Sequence, residues 1–108
     1  MTDFSIKQND TRPSLEAQLL DENKEPRDLQ PVTNVSFYME NVSTNEIVVN
    51  AEATVLEAAD GTVVYEWQEG DVKSSGRHIA EFEITYNDGV ETFPNNGYIN
   101  IYVEEDIE

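Results

Sequence analysis

The chain has 108 residues, no cysteine, and 23 Asp and Glu against six Lys and Arg, for a formal net charge of -17. That length suits one domain with one modest hydrophobic core, and the lack of cysteine removes disulfides, thiolate metal ligands and cysteine nucleophiles. The charge makes contact with nucleic-acid phosphates or anionic lipids unfavourable, and no run approaches the roughly 20 apolar residues of a bilayer span, so neither nucleic acid nor membrane is an expected partner.

The opening MTDFSIKQND has no apolar stretch of the kind a secretory signal needs. A highly charged chain with a modest apolar fraction raises the question of disorder. Short alternating apolar runs, turn residues between them and ten aromatic side chains (five Tyr, four Phe, one Trp) argue for a packed core instead. Acids spread along the whole chain, with little lysine, suggest a protein that works in concentrated salt, where the screening length falls to about 3 Å at molar concentration.

Seven strands are predicted in chain order. Residues 3–7 place Phe4 and Ile6 on one face. Residues 14–20 alternate Leu15, Ala17 and Leu19 with Glu16 and Gln18, although these residue types also favour helix and Ser14 could cap one. Residues 32–40 put Val35, Phe37 and Met39 on a shared face. Residues 46–55 alternate most cleanly, with Ile47, Val49, Ala51, Ala53 and Val55 on one side.

Asp60-Gly61 then marks a hairpin into residues 62–67, where Val63, Tyr65 and Trp67 share a face. Residues 78–86 point Ala80, Phe82, Ile84 and Tyr86 inward, and Asp88-Gly89 turns the chain again. The loop TFPNNG delivers the last strand, residues 98–103, with Ile99, Ile101 and Val103 on one face; the tail EEDIE is expected to fray. No linker or repeat divides the chain, so residues 1–108 are expected to form a single domain with an ordered core over about 3–104. Two packed antiparallel sheets bury seven such strands most simply.

Four segments together carry a resemblance: DFSIKQNDTRPSLEAQLLDENKEPRDL, VSFYM, VVYEWQEGDV and GRHIAEFEITYNDGVETFPNNGYINIYV. They resemble the amino-terminal domain of tailed-phage baseplate upper proteins and short related virion proteins. The resemblance runs from residue 3 to 103 and is most specific over residues 67–71 and 76–86, followed by Thr92-Phe93-Pro94 and Gly97-Tyr98. It implies an immunoglobulin-like antiparallel β-sandwich of about seven strands that anchors or joins virion components without catalysis. It further implies localisation in the virion, symmetric copies, and other baseplate, tail or capsid proteins as partners. The chain ends just after the sandwich, with no distal helical or fibre region, so capsid decoration or a head fibre is an alternative to the tail or baseplate.

The residues expected to determine this fold are Trp67, Gly76, His78, Ala80, Phe82 and Tyr86. In immunoglobulin-like domains a Tyr near the start of the sixth strand bonds back to the backbone, two residues before an inward position often held by Cys. His78 takes the tyrosine place in this chain and Ala80 the cysteine place. A catalytic role for His78 would need a nucleophile and an orienting acid, and no nucleophile elbow is present.

Asp21-Glu22-Asn23-Lys24-Glu25-Pro26 begins like a calcium loop, but Pro26 stands where the turn needs glycine and Val32 where the bidentate Glu belongs. No metal and no cofactor is therefore expected. Trp67 and Tyr65 suit a core, the alternative being a sugar-stacking platform in an adhesin. Residues expected at a partner contact are Phe4, Ile6, Phe93, Pro94, Tyr98 and Tyr102; Tyr98 and Tyr102 either anchor a neighbouring chain or merely cover their sheet.

Overall fold

The computed structural model describes residues 3–30 and 32–107. Nine strands run through them in chain order: β1 Phe4–Lys7, β2 Leu15–Gln18, β3 Val32–Asn41, β4 Glu46–Glu52, β5 Thr54–Glu57, β6 Thr62–Tyr65, β7 Gly76–Tyr86, β8 Gly89–Phe93 and β9 Ile99–Glu104. A single 3-10 turn, Ala58–Asp60, joins β5 to β6. The strands form a six-stranded sheet, β1-β9-β7-β3-β4 with β8 also against β7, and a three-stranded sheet, β2-β6-β5. The named pairs are antiparallel except β1 with β9, which run parallel.

The all-β, two-sheet expectation holds, but nine strands replace seven. Two differences account for this. The run at residues 46–55 is divided: the chain leaves the large sheet after Glu52 and enters the small sheet at Thr54, with the Ala53 N–H still bonded to Val35 O at 2.9 Å. A register shift between Met39 and Glu40 adds a bulge in β4, so Ile47 stands opposite Glu40 and points outward at 60% exposure, against its expected inward face. The second difference is β8, which lies where the sequence reads as turn and loop. Only Phe93 of this strand is buried, and Val90 is exposed, so it carries little alternation to read.

The second run settles as strand. Leu15 is buried, Glu16 and Gln18 are exposed, and the whole segment pairs with β6, so tertiary pairing overrides the helical preference of Leu, Glu, Ala and Gln.

The core between the sheets centres on rings. Phe37 and Phe82 of the large sheet meet Tyr65 of the small one, with Phe37 stacked on Tyr65 at 4.5 Å and tilted against Phe82 at 5.0 Å. Trp67, just past the end of β6, packs edge-on to Phe37 and Tyr65 and stacks with Phe4 at 5.9 Å. Full burial of an aromatic ring of this kind contributes about 2–3 kcal/mol, which makes this cluster the main tie between the layers.

Candidate functional site

The first strand decides where the sandwich stays open. Because β1 adds in parallel to β9, with Phe4 opposite Ile101 and Ile6 opposite Val103, it belongs wholly to the large sheet. The small sheet therefore ends at β2. Between the free side of β2 and the flank formed by β1, the start of β9 and the end of β8 lies a groove of about 740 Å³. Its apolar lining includes Phe4, Leu15, Ala17, Phe93, Pro94 and Ile99, and its rim carries Asp3, Glu16, Asp21 and Glu22 with one cation, Lys24. A concave, largely apolar site with a few charged groups at its edge is the usual form of a binding cleft.

One end of the groove is braced by the connection from β2 to β3. The Leu19 N–H bonds Gly61 O, and the Arg27 N–H bonds Leu19 O, each at 2.8 Å. Gly61 adopts a left-handed φ of 69°, and a Cβ there would lie 2.6 Å from Arg27 O and 2.8 Å from Leu19 O, so only glycine fits. The Arg27 side chain reaches β8, where its Nη2 pairs with Glu91 Oε2 at 2.8 Å and its guanidinium lies 5.9 Å from the Phe93 ring centroid. The Tyr86 hydroxyl donates to the other oxygen of Glu91 at 3.0 Å. Burial, and then this carboxylate, push the Tyr86 phenol up to about 12.

At the opposite end, the crossing from β1 to β2 is tied down by the Asn9 N–H on Val72 O at 3.0 Å and the Gln8 amide on Lys73 O at 3.0 Å. The corner between β6 and β7 is held by Asp71, whose Oδ2 accepts from the Tyr65 hydroxyl at 2.5 Å and from the Gln68 N–H at 2.8 Å. Burial and the adjacent carboxylate hold the Tyr65 hydroxyl well above the usual phenol range. His78 is buried near the start of β7, and its Nδ1 bonds the backbone carbonyl of Gly76, directly after the preceding loop, at 3.1 Å. Burial lowers its pKa, opposed by that backbone bond.

The other expected residues divide. Trp67, Ala80 and Phe82 are buried, Tyr86 is half-buried, and Gly76 opens β7 with a positive φ of 117°. Trp67 and Tyr65, both buried, offer no face to a sugar. Of the partner-contact residues, Phe4 and Pro94 line the groove, and Phe93 forms its floor while fully buried. Ile6 faces the core at 4% exposure and is not available to a partner, because the parallel pairing of β1 turns it inward. Tyr98 and Tyr102 are open to solvent at 53% and 38%.

The Asp21 carboxylate accepts from the Asn23 and Glu25 N–H groups, the work of a turn rather than of a calcium loop. Among the described residues no group of three or more His, Asp or Glu is placed to hold a metal ion. Phe4, Phe93 and Pro94, expected at a partner contact, mark part of the groove's lining, whereas its depth, the brace from Arg27 to Glu91 and the corner at Asp71 carry no local sequence pattern.

The chain matches no protein-family model and no curated protein. Fold and site together describe a small all-β domain compatible with a protein-protein interaction or adhesion module.

Proposed function

We propose that this chain is a non-catalytic assembly or connector module of a tailed-virus virion, placed in the tail or baseplate and built as an immunoglobulin-like sandwich. The order β1-β9-β7-β3-β4 over β2-β6-β5 supports the immunoglobulin-like reading. With β2, β3, β6, β7 and β9 taken as B, C, E, F and G, one sheet carries B beside E and the other carries G, F and C in sequence, with β4 as an added C′ strand. A buried ring near the start of β7, two residues before Ala80, fits the same scheme.

The observation that carries the functional reading is the open flank. A sandwich with an unpaired strand beside an apolar groove is equipped to receive another chain. The titratable groups that the core and corners hold in place support a structural role, since His78 bonds a backbone carbonyl, Asp71 fixes a corner and Glu91 pairs with Arg27. Placement in a virion rests on the resemblance of residues 3–103, and a salt-adapted host on the dispersed acids alone.

Mass spectrometry and cryo-electron microscopy of purified particles test this reading. The expected result is the domain in symmetric copies, with Tyr98 or Tyr102 covered by another chain. A site on the capsid lattice would select decoration instead, and absence from purified particles would overturn the proposal.

A further inference from the structure

We propose that the groove beside β2 takes an extended segment of a partner protein as an added strand, one that alternates apolar residues with Lys or Arg. The inference rests on the reading of the domain as a protein-docking module and names the chemistry of the partner.

The backbone supplies the first argument. Leu19 directs its N–H at Gly61 in the β6 direction, one step beyond the register pair Gln18 and Thr62. Alternation in an antiparallel ladder then turns the main-chain N–H and C=O groups of Glu16 and Gln18 away from β6, toward the open side. Such groups form a ready template for another strand, and β-addition satisfies them without a change in the fold. In the four-stranded ABED sheet of an immunoglobulin domain a strand occupies this side of B; this chain sends its first strand to β9 and leaves the place vacant.

The side chains supply the second. A strand laid along β2 sends alternate residues down into the cleft between the sheets, where the half-buried Phe4, Ala17 and Pro94 offer apolar surface above the buried Leu15, Phe93 and Ile99. Its other residues face the rim, where Asp3, Glu16, Asp21 and Glu22 outnumber Lys24. Glu16 and Glu22 have no ion pair among the described residues, so a basic segment gains attraction there without displacing a partner. The same charge disfavours a second copy as the occupant, because each carries a net charge of -17.

Fluorescence anisotropy with the full chain and synthetic decapeptides tests the proposal. The probe alternates Val or Leu with Lys; the controls replace Lys by Glu, or methylate the backbone nitrogens that would face β2. The Lys peptide should bind, the Glu peptide should not, and backbone methylation should abolish binding. The double variant Glu16→Lys with Glu22→Lys, altered only at exposed positions, should weaken the Lys peptide by about tenfold at low salt. Amide chemical-shift changes should centre on Glu16 and Gln18. No binding by the Lys peptide, equal binding by the Glu peptide, or indifference to methylation would each overturn the proposal. A particle structure showing this domain joined to neighbours through Tyr98 and Tyr102, with the groove bare, would overturn it while leaving the assembly reading intact.

Discussion

The two flanks of the sandwich differ in how the chain links the sheets. On one side the chain itself crosses from β4 to β5 at Ala53, carrying a backbone bond to Val35 through the crossing. On the other, β1 joins β9 and leaves β2 without an outer neighbour, and the chain on either side of β2 is held by the Gly61, Leu19 and Arg27 contacts and by the Gln8 and Asn9 contacts. The crossing ties the two sheets together but leaves β4 and β5 as outer strands, whereas on the other side the outer strand β2 borders an apolar groove in reach of solvent. The open flank is thus a consequence of which sheet the first strand joins.

The largest expected effect lies at the brace. Gly61→Ala forces a Cβ against two backbone carbonyls in a left-handed conformation and should cost on the order of 3 kcal/mol. Urea unfolding measures it, and a loss below about 0.5 kcal/mol would mean that the brace does not hold that end of the flank. Next comes the corner. Asp71→Ala leaves the buried Tyr65 hydroxyl without its acceptor and should cost about 1–3 kcal/mol, while the double change with Tyr65→Phe should recover part of that loss.

Much of this division was legible in the sequence and part of it was not. Val35, Phe37, Met39, Ala80, Phe82 and Ile84 announce two inward faces by strict alternation, and the structure buries all six. Asp60-Gly61 announces its hairpin. β8 is silent because a strand with a single buried residue has no period to detect. Ile47 misleads because a bulge, set by pairing with β3, reverses its face. The depth of the groove is invisible for another reason: local pattern says that residues 3–7 form a strand, but whether that strand joins β9 or β2 is decided by long-range pairing.

Salt acts on a smaller scale. If the dispersed acids are an adaptation to salt, lowering potassium chloride from molar to millimolar should cost about 1 kcal/mol and shift the melting midpoint down by about 5 °C. An unchanged midpoint would remove the salt-adapted reading. Acid should act through His78. Its folded pKa lies below the usual value near 6.5, so the native state binds fewer protons than the unfolded chain; the stability this gives is present above 6.5 and is lost as pH falls toward the folded value. Unfolding free energy should therefore fall between pH 7 and 5.5, before most carboxylates titrate, and His78→Phe should flatten that slope. The smallest effect belongs to the open flank itself: Glu16→Lys should alter stability by no more than about 0.5 kcal/mol, because nothing folds against that edge.

If β2 is an edge open to another chain, amide hydrogen exchange at Glu16 and Gln18 reports it. In the isolated domain both amides should exchange far faster than those of Leu15 and Ala17, whose groups face β6. With the alternating Lys peptide bound they should become protected while the exchange of Leu15 and Ala17 stays slow. Amides at Glu16 and Gln18 already protected in the isolated domain, or equally fast in both states, would show that β2 is not an open docking edge.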